Sequence, residues 1–248
     1  MRAYLGDPGE MAIRAESHEE EASTRPFTVA IMQPYFIPYA GYFRLFATSD
    51  LFVIYDCVQF PRRGWVHRNQ LLDRAGVTRW LTLPLEKAPQ DTRICDLRFA
   101  ADADILMAKR MRPFQFPKDD TTPFAGIMAA ICDMRGTPID YLERLLEFIT
   151  AYLGLPWRVI RSSKLRLPTS LFGQQRILAI AQELGAHRYV NAPGGRSLYE
   201  PAAFARAGIE LRFLSDFTGP TNSILGRLAV EDRNSLAQEI RDTAVTSV

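Results

Sequence analysis

At 248 residues, with 47% apolar and 23% charged side chains, the chain has the makeup of a soluble globular protein. That balance excludes a disordered chain, a collagen-like fibre and a disulfide-stapled scaffold. Lys and Arg number 30 against 28 Asp and Glu, a formal net charge of +2, so the basic excess expected of a DNA binder is missing.

Residues 1–26 carry Asp7, Glu10, Glu16, Glu19, Glu20 and Glu21 against Arg2, Arg14 and Arg25, with few large apolar side chains. Such a stretch buries too little surface to offset its ordering entropy and is predicted to be a mobile tail. Residues 27–248 are predicted to form one α/β domain. FTVAIM (27–32) is apolar and β-branched enough for a buried strand, and QPYFIPYAGYF then leads through a proline-punctuated loop into a helix near Gly41–Thr48. LFVIYD (51–56) is a second buried strand. Strand, loop, helix and strand within about 30 residues are the pattern of a βαβ unit with parallel strands. TRWLTLP (78–84) is expected to be a third strand. Residues 100–136, rich in basic, aromatic and proline residues, read as a helix followed by an irregular segment.

Thr137-Pro138 opens a helix whose stripe is Ile139, Leu142, Leu145, Leu146, Ile149 and Leu153, and Gly154 closes it. WRVIRSS (157–163) reads as a strand, residues 174–185 as a helix ending at Gly185, and 188–192 and 209–214 as strands. From Ser223 onward a helix is expected. The alternation predicts a Rossmann-like α/β fold: a mostly parallel sheet flanked by helices, with an irregular or helical middle segment.

Ligands of open α/β sheets bind beyond the carboxyl ends of the strands, which directs attention to the loops there. After the first strand, Gln33 and Tyr35 offer hydrogen bonds ahead of a helix N-terminus; the same loop would also serve as a rigid aromatic-packed turn. After the second, YDCVQFPRRGWVHRNQL (55–71) gathers Asp56, Gln59, Trp65, His67, Arg68 and Asn69. Asp56 or His67 could serve as general base, Arg68 could grip a phosphate or carboxylate, and Trp65 could stack on a base or sugar. The plainer reading is a solvated basic loop held by an Asp56–arginine ion pair. Ser162 and Ser163 follow another strand and suit phosphate oxygens. Gly194 and Gly195 allow close backbone approach in a further strand-end loop, with Tyr199 just beyond.

Cys57, Cys95 and Cys132 are scattered and form no CxxC pair, which predicts free thiols in a reducing compartment, Cys95 and Cys132 for packing and Cys57 either inert in the core or a nucleophile activated by His67 or Arg63. No apolar run of about 18 residues and no signal-peptide core is seen, so no membrane span is expected and the location is predicted to be cytoplasmic. GxxxxGK[ST], GxGxxG and GxSxG are absent, so no cofactor is identified from motifs, and the three histidines are dispersed, so no resident metal is expected.

The segment IMQPYFIPYAGYFRLFATSDLFVIYDCVQFPRRGWVHRNQLL (31–72) closely resembles the opening of the WbqC-like proteins, which are encoded in bacterial O-antigen and other polysaccharide clusters and beside natural-product genes. The resemblance continues through WLTLPL (80–85), SSKL (162–165), residues 184–213 and SIL (223–225). The family pattern falls on Gln33, Pro34, Pro38, Gly41, Asp50, Tyr55, Asp56, Gln59, Trp65, Arg68, Asn69, Ser162, Ser163, Gly194 and Tyr199. It departs at Cys57, where the family commonly carries a second acidic residue. The resemblance implies a biosynthetic transferase that places an acyl or aminoacyl group on an amine, with an amine or nucleotide-sugar substrate and an acyl or aminoacyl carrier protein as partner. The strand–loop–helix–strand opening is also similar to nucleotidylyltransferases of the pantothenate synthetase type, which implies transfer from ATP or CTP with magnesium as an alternative. A third alternative is a non-catalytic protein that binds a carrier protein through Arg62, Arg63, Lys109, Arg110 and Arg112.

Overall fold

The computed structural model describes residues 25–114, 116 and 123–247. Eight strands are found among them: β1 (Thr28–Met32), β2 (Leu51–Ile54), β3 (Arg68–Leu72), β4 (Thr78–Thr82), β5 (Val159–Arg161), β6 (Arg188–Asn191), β7 (Glu210–Leu214) and β8 (Thr246–Ser247). Six of them form one sheet in the order β5-β2-β1-β6-β7-β8, parallel throughout except where β8 runs antiparallel to β7. β3 and β4 form a separate antiparallel hairpin. Residues 1–24 of the tail expected over 1–26 lie outside the described residues, together with part of the irregular middle segment.

β1 reads as a continuous apolar run because both faces of the sheet are covered. Alternate residues go to opposite sides. Val29, Ile31, Val53, Tyr189, Leu211 and Phe213 join one buried cluster, and Ala30, Phe52, Ile54, Val190 and Leu214 join the other. The larger cluster takes in helices α1 (Ala40–Thr48), α2 (Ala103–Met111), α3 (Pro123–Cys132) and α4 (Pro138–Tyr152). Against the other face lie α5 (Gly173–Glu183) and α6 (Pro201–Arg206), through Ile177, Ile180, Ala181 and Phe204. The chain then adds α7 (Leu225–Leu228) and α8 (Arg233–Asp242), which supply Leu228, Leu236 and Ile240 to the larger cluster. The result is a mixed α/β architecture with a mostly parallel six-stranded sheet flanked by helices.

Local chemistry accounts for the best-defined helix. Thr137 and Asp140 form a reciprocal capping box at the start of α4, with Pro138 in the first turn. Its expected stripe is buried, each side chain contributing roughly 1.5–3 kcal/mol relative to exposure. At the other end Gly154 takes φ 61° and Leu155 N–H donates to Thr150 O (3.0 Å), a Schellman closure.

Three expectations are corrected. Residues 68–72, read from sequence as loop, form a strand; they pair with the expected strand over 78–84, found at Thr78–Thr82, in a hairpin outside the parallel sheet. Arg68, Asn69 and Gln70 are poor strand formers in isolation, and the strand is held by tertiary burial of Asn69, Leu71 and Leu81. Residues 123–132 are helical rather than irregular, because Phe124, Ile127 and Ile131 recur at helical spacing against the core. Cys132, expected to pack, is exposed at the end of that helix.

Candidate functional site

From β1 the chain moves outward to β2 and β5, then crosses to the other side of β1 for β6 and β7. Where successive connections leave in opposite directions, the loops diverge and open a crevice beyond the strands' carboxyl ends. β1 and β6 border that crevice. It holds a recess of about 370 Å³ lined by Gln33 and Tyr35 after β1, Tyr55 after β2, and Asn191, Gly194, Gly195 and Tyr199 at the end of β6 and beyond. Ile31, Ile177 and Leu198 supply its apolar wall. The size and mixture suit a small organic ligand.

The loop after β1 is held in an unusual shape. Ile37 takes φ 43°, a left-handed conformation that costs a β-branched residue about 1–3 kcal/mol. Asn69 Nδ2 donates to Phe36 O (3.0 Å) and Ile37 O (2.7 Å), and Ser223 Oγ donates to Ile37 O (2.8 Å). Phe36 N–H reaches Trp65 O (2.9 Å) and Tyr42 Oη reaches Gln33 O (2.9 Å). Neighbouring elements therefore enforce the backbone that presents Gln33 and Tyr35.

On the opposite wall, a Cβ at Gly195 would come within 2.3 Å of Asn191 Nδ2, so a larger residue in the 3-10 turn Pro193–Leu198 would push the Asn191 side chain aside. Tyr199 Oη lies 3.3 Å from Tyr189 Oη. Burial pushes the phenols of Tyr35, Tyr55 and Tyr199 above the usual tyrosine range, so at neutral pH they keep their protons and can donate.

Asp56 is 0% exposed and ties two strand ends together. Its carboxylate accepts from Ser162 Oγ (2.9 Å), Ser163 N–H (2.8 Å) and Ser163 Oγ (2.6 Å). Ser162 Oγ also accepts from Asp56 N–H (3.1 Å). The three residues thus satisfy one another, a clamp between the ends of β2 and β5. Asn69 is likewise occupied: besides its two donations, its Oδ1 accepts from Gln70 N–H (2.7 Å).

Trp65, in the loop before β3, and Trp80, on β4, are 38% and 43% exposed, with ring centroids 5.4 Å apart. Arg68 lies over Trp80 at 4.2 Å and donates to Arg63 O (2.8 Å). A second recess of about 240 Å³, lined by Tyr35, Pro38, Tyr39, Trp65, Asn69 and Thr221, meets the first at Tyr35. His67 lines a different recess and packs edge-on against Phe60. Burial, then the Arg68 charge, lowers its pKa from 6.5 to about 4, so it is neutral at pH 7. Gln59 Nε2 donates to Gln90 O (2.7 Å) beside that recess.

Of the expected site residues, the structure gathers Gln33, Tyr35, Gly194, Gly195 and Tyr199 around one recess and brings Trp65 and Asn69 to its neighbour. Asp56, Ser162 and Ser163 lie together as the clamp, while His67 and Gln59 border other openings. From sequence, Tyr55 stands only as a family-pattern position and Asn191 only as the first residue of a strand-end loop, neither with a role, and Trp80 carries no site expectation. The first two end strands, and the strand-end rule applied residue by residue finds them; Trp80 is a large aromatic on the outward face of β4. Among the described residues, no three His, Cys, Asp or Glu side chains are grouped to hold a metal ion, and no helix is long and apolar enough to cross a membrane.

The WbqC-like protein family model matches residues 33–220, from the first residue of the recess loop to the segment before Thr221. The chain is 30% identical over 197 residues to Uncharacterized protein Rv1507c of Mycobacterium tuberculosis (strain ATCC 25618 / H37Rv), covering 77% of this chain and 83% of the relative. No solved structure matches it. A match over three quarters of the chain makes this protein a member of the WbqC-like protein family.

Proposed function

We propose that the protein is a cytoplasmic transferase of polysaccharide or natural-product biosynthesis that moves an acyl or aminoacyl group onto an amine. The observation that carries this reading is the convergence of uncharged hydrogen-bond donors on one recess: the Gln33 amide and the protonated phenols of Tyr35, Tyr55 and Tyr199, set against an apolar wall. Fixed donors of that kind stabilise the oxyanion that forms when an amine adds to an acyl carbonyl. With a thioester donor, the C–N bond forms, the oxyanion collapses, the C–S bond breaks, and the leaving thiolate takes the ammonium proton. A thiolate of pKa about 8.5 is competent for that, so the recess needs no side chain titrating near neutrality. In this reading Asp56, Ser162, Ser163 and Asn69 position the loops, and Trp65 with Arg68 bounds the amine-bearing sugar.

Thiol release from acyl or aminoacyl thioesters in the presence of amino sugars tests the reading. Tyr35→Phe and Tyr199→Phe should each lower kcat/KM by about 10–100-fold with little change in melting temperature. Gly195→Ala should do the same by displacing Asn191. Turnover unchanged in all three variants would refute the site. A second reading, nucleotidyl transfer from ATP or CTP, is favoured by the strand order. Taken in chain order the five parallel strands run 3-2-1-4-5, the Rossmann-like arrangement of nucleotide-binding sheets. Pyrophosphate release in place of thiol release would select it.

A further inference from the structure

Away from the switch-point crevice, the base of the hairpin borders a larger recess of about 620 Å³ that the proposed transfer does not use. Three cations from three separate elements line it: Arg62 from the loop after β2, Lys87 from the loop after β4, and Arg110 from α2. Glu86 is its one acidic neighbour, and among the described residues none of the three cations makes an ion pair. Like charges brought together repel unless an anion sits between them.

The two arginines are not freely swinging surface side chains. Arg62 donates one N–H to Ala88 O (2.7 Å), and Arg110 donates one to Thr82 O (2.7 Å). Each guanidinium is pinned by a backbone carbonyl and keeps the rest of its five N–H donors for something else. Pinning lowers the entropy lost when an oxyanion is gripped. Phe60, Leu83 and Leu85 supply apolar surface in the same recess. His67 Nδ1 is buried there without a partner. An orphaned acceptor costs less than an orphaned N–H, which places the ring proton on Nε2 as a further donor.

We propose that this recess is a second ligand site, taking a diphosphate group held by Arg62, Lys87 and Arg110. Charge sets the choice of ligand. Three cations and one carboxylate leave a surplus that a diphosphate neutralises, while the volume and apolar wall leave room for an organic group attached to it. The inference stands independently of the transfer reading, because its test reads binding and not turnover.

The test is calorimetric titration of the full chain with inorganic pyrophosphate and, separately, with ADP. Saturable binding by wild type, weakened at least about tenfold in Arg62→Gln/Arg110→Gln, is the expected result. Lys87→Glu, at an exposed position that does not endanger folding, should weaken it comparably. The charge-matched pair Arg158→Gln/Arg206→Gln, away from the recess, should bind as wild type does. ADP binding more tightly than pyrophosphate, with both lost in the variants, assigns the apolar wall to a nucleoside; equal affinities assign the site to the diphosphate alone. Absence of saturable binding up to about 10 mM, a free energy weaker than roughly 3 kcal/mol, would overturn the proposal. Equal weakening in the charge-matched control would overturn it as well.

Discussion

Replacing Asn69 tests whether the loop after β1 is held by its neighbours or shapes itself. In Asn69→Ala, Phe36 O loses its Asn69 donor and Gln70 N–H loses the Oδ1 acceptor, while Ile37 O keeps only Ser223 Oγ. Three buried or half-buried hydrogen bonds at about 1 kcal/mol net each, with one carbonyl left unsatisfied, give a loss of about 3–4 kcal/mol. The strain at Ile37, about 1–3 kcal/mol, is then opposed by fewer contacts and adds to the tendency of the loop to relax. Urea denaturation reads the effect directly. With a slope of about 2.5 kcal/mol per M, the midpoint should fall by about 1.2–1.6 M at unchanged slope. Asn69→Asp sharpens the test. It keeps an acceptor for Gln70 but sets a carboxylate against two carbonyl oxygens, so it should be no milder than alanine. A midpoint shift below about 0.3 M in Asn69→Ala, or an Asp variant clearly more stable than the Ala variant, would refute the reasoning.

Two other perturbations follow from the same geometry. Asp56→Ala leaves the buried Ser162 Oγ without its acceptor and releases Ser163 N–H and Ser163 Oγ to water, and should cost about 2–3 kcal/mol in urea unfolding; an unchanged midpoint would show that the clamp contributes nothing. His67 makes stability pH-dependent: its pKa falls from 6.5 to about 4 on folding, so the unfolded chain binds the proton more readily, and stability is full above 6.5 and lost as pH falls towards 4. The wild-type midpoint minus that of His67→Gln should show this slope, and a flat difference across the window would contradict the burial argument.

Sequence pattern reached the parallel strands and the long helix because their burial is written in period and punctuation. TVAIM and LFVI are apolar on both faces, and Thr137-Pro138 with Gly154 brackets α4. The hairpin was hidden because Arg68, Asn69 and Gln70 look like site residues and only their partner strand makes them β. The same cause separates chemistry from architecture at the site. Asp56, Asn69, Ser162 and Ser163 have the side chains of a ligand site, yet their hydrogen bonds go to one another and to nearby backbone, which local sequence does not reveal. Gln33, Tyr35, Gly194 and Tyr199 share one recess because a parallel sheet brings strand ends together, and strand ends are recognisable in sequence.

The smallest strand has consequences for how copies of this chain meet. The outer edge of β7 would offer open backbone beside Leu211, Phe213 and Leu214, a template on which another molecule could add a strand. β8 occupies part of that edge with two residues, and the opposite border of the sheet is the three-residue β5, whose Arg161 is ion-paired to Asp140 and Glu143. Neither flank presents a long flat ribbon. Arg196, in the turn that wraps Asn191, donates to Ser247 Oγ (2.8 Å) within β8. The two residues that cover the β7 edge are thus fastened to the turn that borders the crevice, so closure of the sheet edge and the shape of the recess depend on one short stretch of backbone.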